Sequence, residues 1–144
     1  DAALEAAREA ERQAKKVRDK GAVCVTLMRR GGEHTTARGR WEAVMPRLEE
    51  VVKYLRGGLS GRFAYDVARL AYSLEGPGDM LRSELKRLLS RYEGAPAEPS
   101  PKDLACRLNC WAAELPEGVK GLADWLIIAR FLAGEWGGDN AAVP

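Results

Sequence analysis

From Trp41 to Trp136 apolar residues recur every three or four positions in five separate runs, each closed by glycine or proline. A period near 3.6 places such residues on one helical face, so this part of the chain reads as helices that bury their faces against one another. The first run joins Trp41, Val44, Met45, Leu48, Val51, Val52 and Leu55, stops at Gly57-Gly58, and carries Pro46 near its first turn. The second aligns Phe63, Val67, Leu70 and Leu74, and the third, capped by Asp79, aligns Leu81, Leu85, Leu88 and Tyr92. Three prolines in "APAEPSP", residues 95–101, rule out regular structure there and mark a linker. Ser100 then caps a helix with Pro101 at its first position and Asp103 at its third, burying Leu104, Leu108, Trp111 and Leu115. The last run, from about Val119 to Trp136, is apolar on most sides and is the expected central helix.

The first forty residues differ in kind. Residues 1–40 hold ten Lys and Arg against six Asp and Glu, and residues 41–144 hold thirteen against fifteen. Within 12–40 the bases are Arg12, Lys15, Lys16, Arg18, Lys20, Arg29, Arg30, Arg38 and Arg40, opposed only by Asp19 and Glu33. Such an asymmetry points to a polyanion or an acidic partner. "DAALEAAREAERQAKKVRDKG" is rich in strong helix formers and reads as a long helix stopped at Gly21. Its stripe of Ala3, Ala7, Ala10, Ala14 and Val17 buries little area, and Glu5 with Arg8, Glu9 with Arg12 and Glu11 with Lys15 stand at ion-pairing distance along it. The next segment, about 23–38, fits two forms. Val23, Val25 and Thr26 favour a strand that Gly31-Gly32 would turn back as a short hairpin, while a short helix with the glycines as its corner fits as well. Taken together the expectation is an all-α fold: an extended basic N-terminal helical arm, residues 1–40, and a four- to five-helix bundle, residues 41–144.

Signatures of catalysis are missing. The lone histidine, His34, sits in a polar, glycine-flanked stretch with no partner to orient it as a base. Cys24, Cys106 and Cys110 with His34 would make four zinc ligands but lack the CxxC spacing of zinc knuckles, so no metal and no cofactor is expected. No GxxxxGK[ST] or GxGxxG phosphate loop occurs, and the acids are scattered singly, Glu49-Glu50 being the one adjacent pair. The chain reads as a non-enzyme. Asp124 and Arg130 interrupt the most apolar stretch, which excludes it as a membrane span, and three cysteines are too few for a disulfide framework. The opening residues do not follow the charged-then-apolar pattern of a secretory leader, and an intracellular setting is expected.

"RRGGEHTTARGR", residues 29–40, combines arginines, which match phosphate oxygens, with threonine hydroxyls and glycines that allow close backbone approach. No Phe, Tyr or Trp occurs in residues 1–40, which disfavours stacking on splayed single-stranded bases and favours a duplex backbone. The nine bases from Arg12 to Arg40 are therefore the expected nucleic-acid-binding residues, making nonspecific phosphate contacts.

In this layout of basic helical arm and nearly neutral bundle, the chain resembles the major capsid proteins of filamentous and rod-shaped viruses of hyperthermophilic archaea. The resemblance implies an arm that wraps double-stranded DNA and a bundle that packs on copies of itself or a paralogous capsid subunit in a helical filament. It further implies a place in the virion nucleocapsid, and in the host cytoplasm during assembly. The low net charge departs from that pattern. Small helical subunits of CRISPR effector complexes, which contact crRNA and target backbone without chemistry, are similar in length and composition. A protein-binding helical module gripping an acidic partner is the third form the same features would take.

Overall fold

A computed structural model of the chain describes residues 1–17 and 21–134. Among these residues the order is helix α1 (Ala2–Lys15), strands β1 (Ala22–Met28) and β2 (His34–Arg40), then helices α2 (Trp41–Arg56), α3 (Arg62–Ser73), α4 (Asp79–Ser90), α5 (Pro101–Glu114) and α6 (Gly118–Phe131). No helix among the described residues is long and apolar enough to cross a membrane.

The expected all-α fold is overturned at residues 22–40, where β1 and β2 pair antiparallel with Val25 opposite Ala37 and Thr26 opposite Thr36. Of the two forms left open for this segment, the hairpin is the one adopted. Its strands carry the β-branched Val23, Val25, Thr26, Thr35 and Thr36, and the turn closes with the Arg29 N–H donating to the Glu33 carbonyl at 3.1 Å and the Gly32 N–H to the Arg29 carbonyl at 3.0 Å. Gly32 takes φ +84, a left-handed conformation that glycine adopts without steric cost.

Nor are residues 1–40 an extended arm. A lone hairpin is marginal in water, and this one is covered on both faces. Leu27 and Ala37, only 7% and 2% exposed, belong to the same hydrophobic core as the helices, with Val23 and Val25 packed beside them. Gly39 lies so near the bundle that a Cβ there would stand 2.6 Å from Val44 Cγ2 and 3.2 Å from Leu115 Cδ2. The indole N–H of Trp125 donates to the Arg38 carbonyl at 3.3 Å. Helix α1 covers the opposite face, where Gln13 accepts from the Arg38 guanidinium through its side chain at 3.2 Å and its carbonyl at 3.4 Å. With no fully buried residue and ending at Lys15, α1 is shorter than the helix expected to run to Gly21. The expected Glu9–Arg12 and Glu11–Lys15 pairs form at 2.6 and 2.9 Å.

In the bundle, α6 is the central helix, burying nine residues from Val119 to Ala129, and Trp125 stacks on Trp111 of α5 with ring centroids 6.4 Å apart. Trp136, the expected end of this helix, lies outside the described residues. Ser100 caps α5 as expected, accepting from the Asp103 N–H at 3.2 Å. Trp41 departs from the expectation: it opens α2 with 52% of its surface exposed, because the buried face of that helix runs through Val44, Leu48, Val51 and Tyr54 instead. Residues 95–100 are irregular but held, since the Tyr54 hydroxyl points at the carbonyls of Pro96 and Pro99 and donates its single proton to one or the other, while Pro101, the last residue of the expected linker, already opens α5.

Candidate nucleic-acid interface

The nine expected phosphate contacts do not share one surface. Arg12 and Lys15 are exposed on α1 but spend their charge on Glu9 and Glu11, while Lys16 is exposed with no such partner among the described residues. Arg18 and Lys20 lie outside the described residues. Arg38 is internal: its guanidinium is bound to Gln13, its side chain is 21% exposed, and its Nε makes no hydrogen bond. The Glu117 carboxylate, 3.7 Å from that Nε, is too far for a hydrogen bond but near enough to attract. Arg40 is exposed at the end of β2, beside Glu42, Arg47 and Glu114. Six residues of strand separate it from His34 next to the turn, which at about 3.3 Å each puts it roughly 20 Å from Arg29 and Arg30.

The hairpin turn delivers Arg29 to a different neighbour and leaves Arg30 exposed. The Arg29 guanidinium lies 6.0 Å from the centre of the Tyr65 ring, on α3, and Arg130, from the end of α6, lies 5.2 Å from the same ring. Both distances suit attraction between a cation and an aromatic face. Arg130 reaches Tyr65 by crossing Gly61, where a Cβ would stand 2.6 Å from its Nε. Glu33 sits 3.5 Å from Arg29 and offsets part of its charge.

Tyr65 belongs to a stripe. Helix α3 buries Phe63, Ala64 and Val67, and on its outer side Arg62, Tyr65, Arg69 and Tyr72 follow at spacings of three, four and three, all exposed. Tyr72 keeps 94% of its surface in solvent. Asp66, more deeply set, binds the Arg69 guanidinium and accepts from the Tyr92 hydroxyl. Burial first, and that hydrogen bond to Asp66 second, push the Tyr92 phenol up to about 12, with Arg62 and Arg91 near enough to oppose the rise. Arg29, Arg62, Arg69, Arg91 and Arg130 against Glu33 and Asp66 leave this group of seven residues at net +3.

Sequence reasoning confined to residues 1–40 missed this face. The signal was present in "RFAYDVARLAY": reading the complement of Phe63, Val67 and Leu70 places the two arginines and two tyrosines on one outer stripe. The absence of aromatics from residues 1–40 says nothing about a surface to which α3 contributes its own.

A polar cleft of about 360 Å³ between α1, β2 and α6 gathers Glu9, Gln13, His34, Thr35, Thr36, Arg38, Glu117, Lys120 and Asp124. Its charges are largely consumed internally, Lys120 lying 2.9 Å from Asp124 and 3.6 Å from Glu117. Burial pushes the Asp124 carboxyl up despite the bond from Lys120, whereas Lys120 is pushed up chiefly by that same bond. Cys24 has its thiol pushed up by burial, the opposite of what activates a nucleophile. Among the described residues no three His, Cys, Asp or Glu side chains are grouped to hold a metal ion. No protein-family model matches the chain, and no curated protein matches its sequence.

Proposed function

We propose that the protein binds nucleic acid through its phosphate backbone, with little regard to sequence and without chemistry of its own. The observation that carries this reading is the convergence of Arg29 from the hairpin turn and Arg130 from α6 on Tyr65, at the head of the exposed arginine and tyrosine stripe of α3. Guanidinium groups match phosphate oxygens in geometry and charge, and a cationic surface raises the local concentration of a polyanion.

Two partners satisfy the reading. Double-stranded DNA coated by many copies in a helical assembly is what the resemblance to archaeal viral capsid proteins implies, and the exposed Lys16, Arg30 and Arg40 favour it. The seating of the hairpin in the core argues against wrapping by a free arm, so a duplex would lie on a folded surface. A crRNA or target strand within a multisubunit effector complex is the second, and the presence of Tyr65 and Tyr72 among the arginines favours it.

The test is the salt dependence of binding, followed by fluorescence anisotropy of a labelled oligonucleotide. If Arg29, Arg30, Arg62, Arg69 and Arg130 each displace a counterion, log K falls against log salt with a slope of roughly −3 to −5. Replacing all five by alanine abolishes the slope. Salt-independent binding, or none at any salt, refutes the reading and leaves the basic face to an acidic protein.

A further inference from the structure

Resting on that reading, we infer that the outer face of α3 is a track for unpaired nucleotides: bases stack on Tyr65 and Tyr72 while Arg29, Arg62 and Arg130, and Arg69 on exchanging Asp66 for the ligand, hold the phosphates. Four observations lead there. Tyr72 at 94% exposure presents aromatic surface that the fold does not use, and Tyr65, 36% exposed and flanked by two guanidinium groups, keeps part of its ring in solvent. They are not isolated, because arginines alternate with them along the helix, and every base carries a π-face whatever its identity. Tyr65 is also held: Arg29 and Arg130 on its ring at 6.0 and 5.2 Å fix the platform before a ligand arrives.

The spacing fits as well. Seven residues of helix separate Tyr65 from Tyr72, about 10 Å along the axis at 1.5 Å per residue, which equals roughly three stacked steps of 3.4 Å. A short single strand running along α3 therefore reaches both rings. A duplex does not use them in this way, since its bases are covered above and below by their neighbours and only phosphates and groove edges face a flat helical surface. The charge excess of the face selects a nucleic acid over an uncharged protein surface, although tyrosine and arginine would suit either.

The experiment compares the full chain with the Tyr65→Ala/Tyr72→Ala and Tyr65→Phe/Tyr72→Phe variants. Each is titrated against a labelled mixed-sequence single strand and the matching duplex. We expect the parent to prefer the single strand. The alanine pair should lose about tenfold in single-strand affinity per ring, with little change toward duplex and little change in salt slope. The phenylalanine pair should keep the affinity, because stacking needs the ring and not the hydroxyl. Circular dichroism of each variant establishes that the exposed substitutions leave the fold intact. Single-strand affinity unchanged in a folded alanine pair overturns the inference while the broader nucleic-acid reading stands, as does duplex preference indifferent to both tyrosines. If the parent binds neither probe, both readings fall, and a protein partner takes the face.

Discussion

Substituting Gly39 by alanine tests whether residues 1–40 are a free arm or part of the core. The new Cβ would lie 2.6 Å from Val44 Cγ2 and 3.2 Å from Leu115 Cδ2, against ordinary contact beyond 3.4 Å. Neither neighbour has room to yield, Val44 being 0% and Leu115 6% exposed. Relief must then come from a shift of β2 outward, which stretches the 3.3 Å bond from Trp125 to the Arg38 carbonyl past its useful range. Overpacking costs about 1–3 kcal/mol and a lost hydrogen bond about 1 kcal/mol, so about 2–4 kcal/mol in total is expected. In a chain of this size that lowers the thermal midpoint by roughly 5–15 °C, read by circular dichroism. Gly31→Ala is the control, because a Cβ there meets nothing within 4 Å, and it should fall within about 0.5 kcal/mol of the parent. A Gly39→Ala protein melting with the parent would mean that the hairpin does not rest on α2 and α6, and the correction to the expected arm would fail.

Two further outcomes follow from the interface. Gly61→Ala displaces only the flexible arm of Arg130, so the melting midpoint should hold while single-strand affinity drops about two- to fivefold, the value of an exposed cation–π contact; unchanged affinity would show that Arg130 does not support Tyr65. Tyr92, raised from 10.0 to about 12 in the fold, contributes stability that is complete below pH 10.0 and is lost as pH rises toward 12, and Tyr92→Phe should remove this alkaline phase from phenolate absorbance and from unfolding curves.

The helices were legible because their cause is local. Phe63, Ala64 and Val67 on α3, or Leu81, Leu85 and Leu88 on α4, repeat at a period that only a helix satisfies, and glycines or a Ser-Pro pair mark the ends. The seating of the hairpin was not legible, since "AVCVTLM" holds no long-range information. What decides it is the slot beside Gly39 and the indole of Trp125, 86 residues further along the chain. A short apolar run is ambiguous until the surface that will cover it is known. Alanines of α1 that looked too small to hold a core need hold none, because the helix covers a hairpin already anchored from the other side.

The site escaped for the same reason turned around. Basic charge is densest along the chain in residues 12–40, but density along the chain is not density on a surface. The fold turns Arg38 inward to Gln13, leaves Arg12 and Lys15 on their helical partners, and sends Arg40 to the far end of the strand from Arg29. Meanwhile it brings Arg29 from a turn and Arg130 from the end of α6 to the ring of Tyr65, on a helix that also exposes Arg62 and Arg69. An unpaired arginine on a surface costs little and recruits little; its energy depends on what else the ligand meets there. On the proposed reading, the same charge placed beside Tyr65 and Tyr72 would meet phosphate while the rings meet bases. The two contributions are then separable by experiment, salt acting on the arginines and the loss of the rings on the stacking.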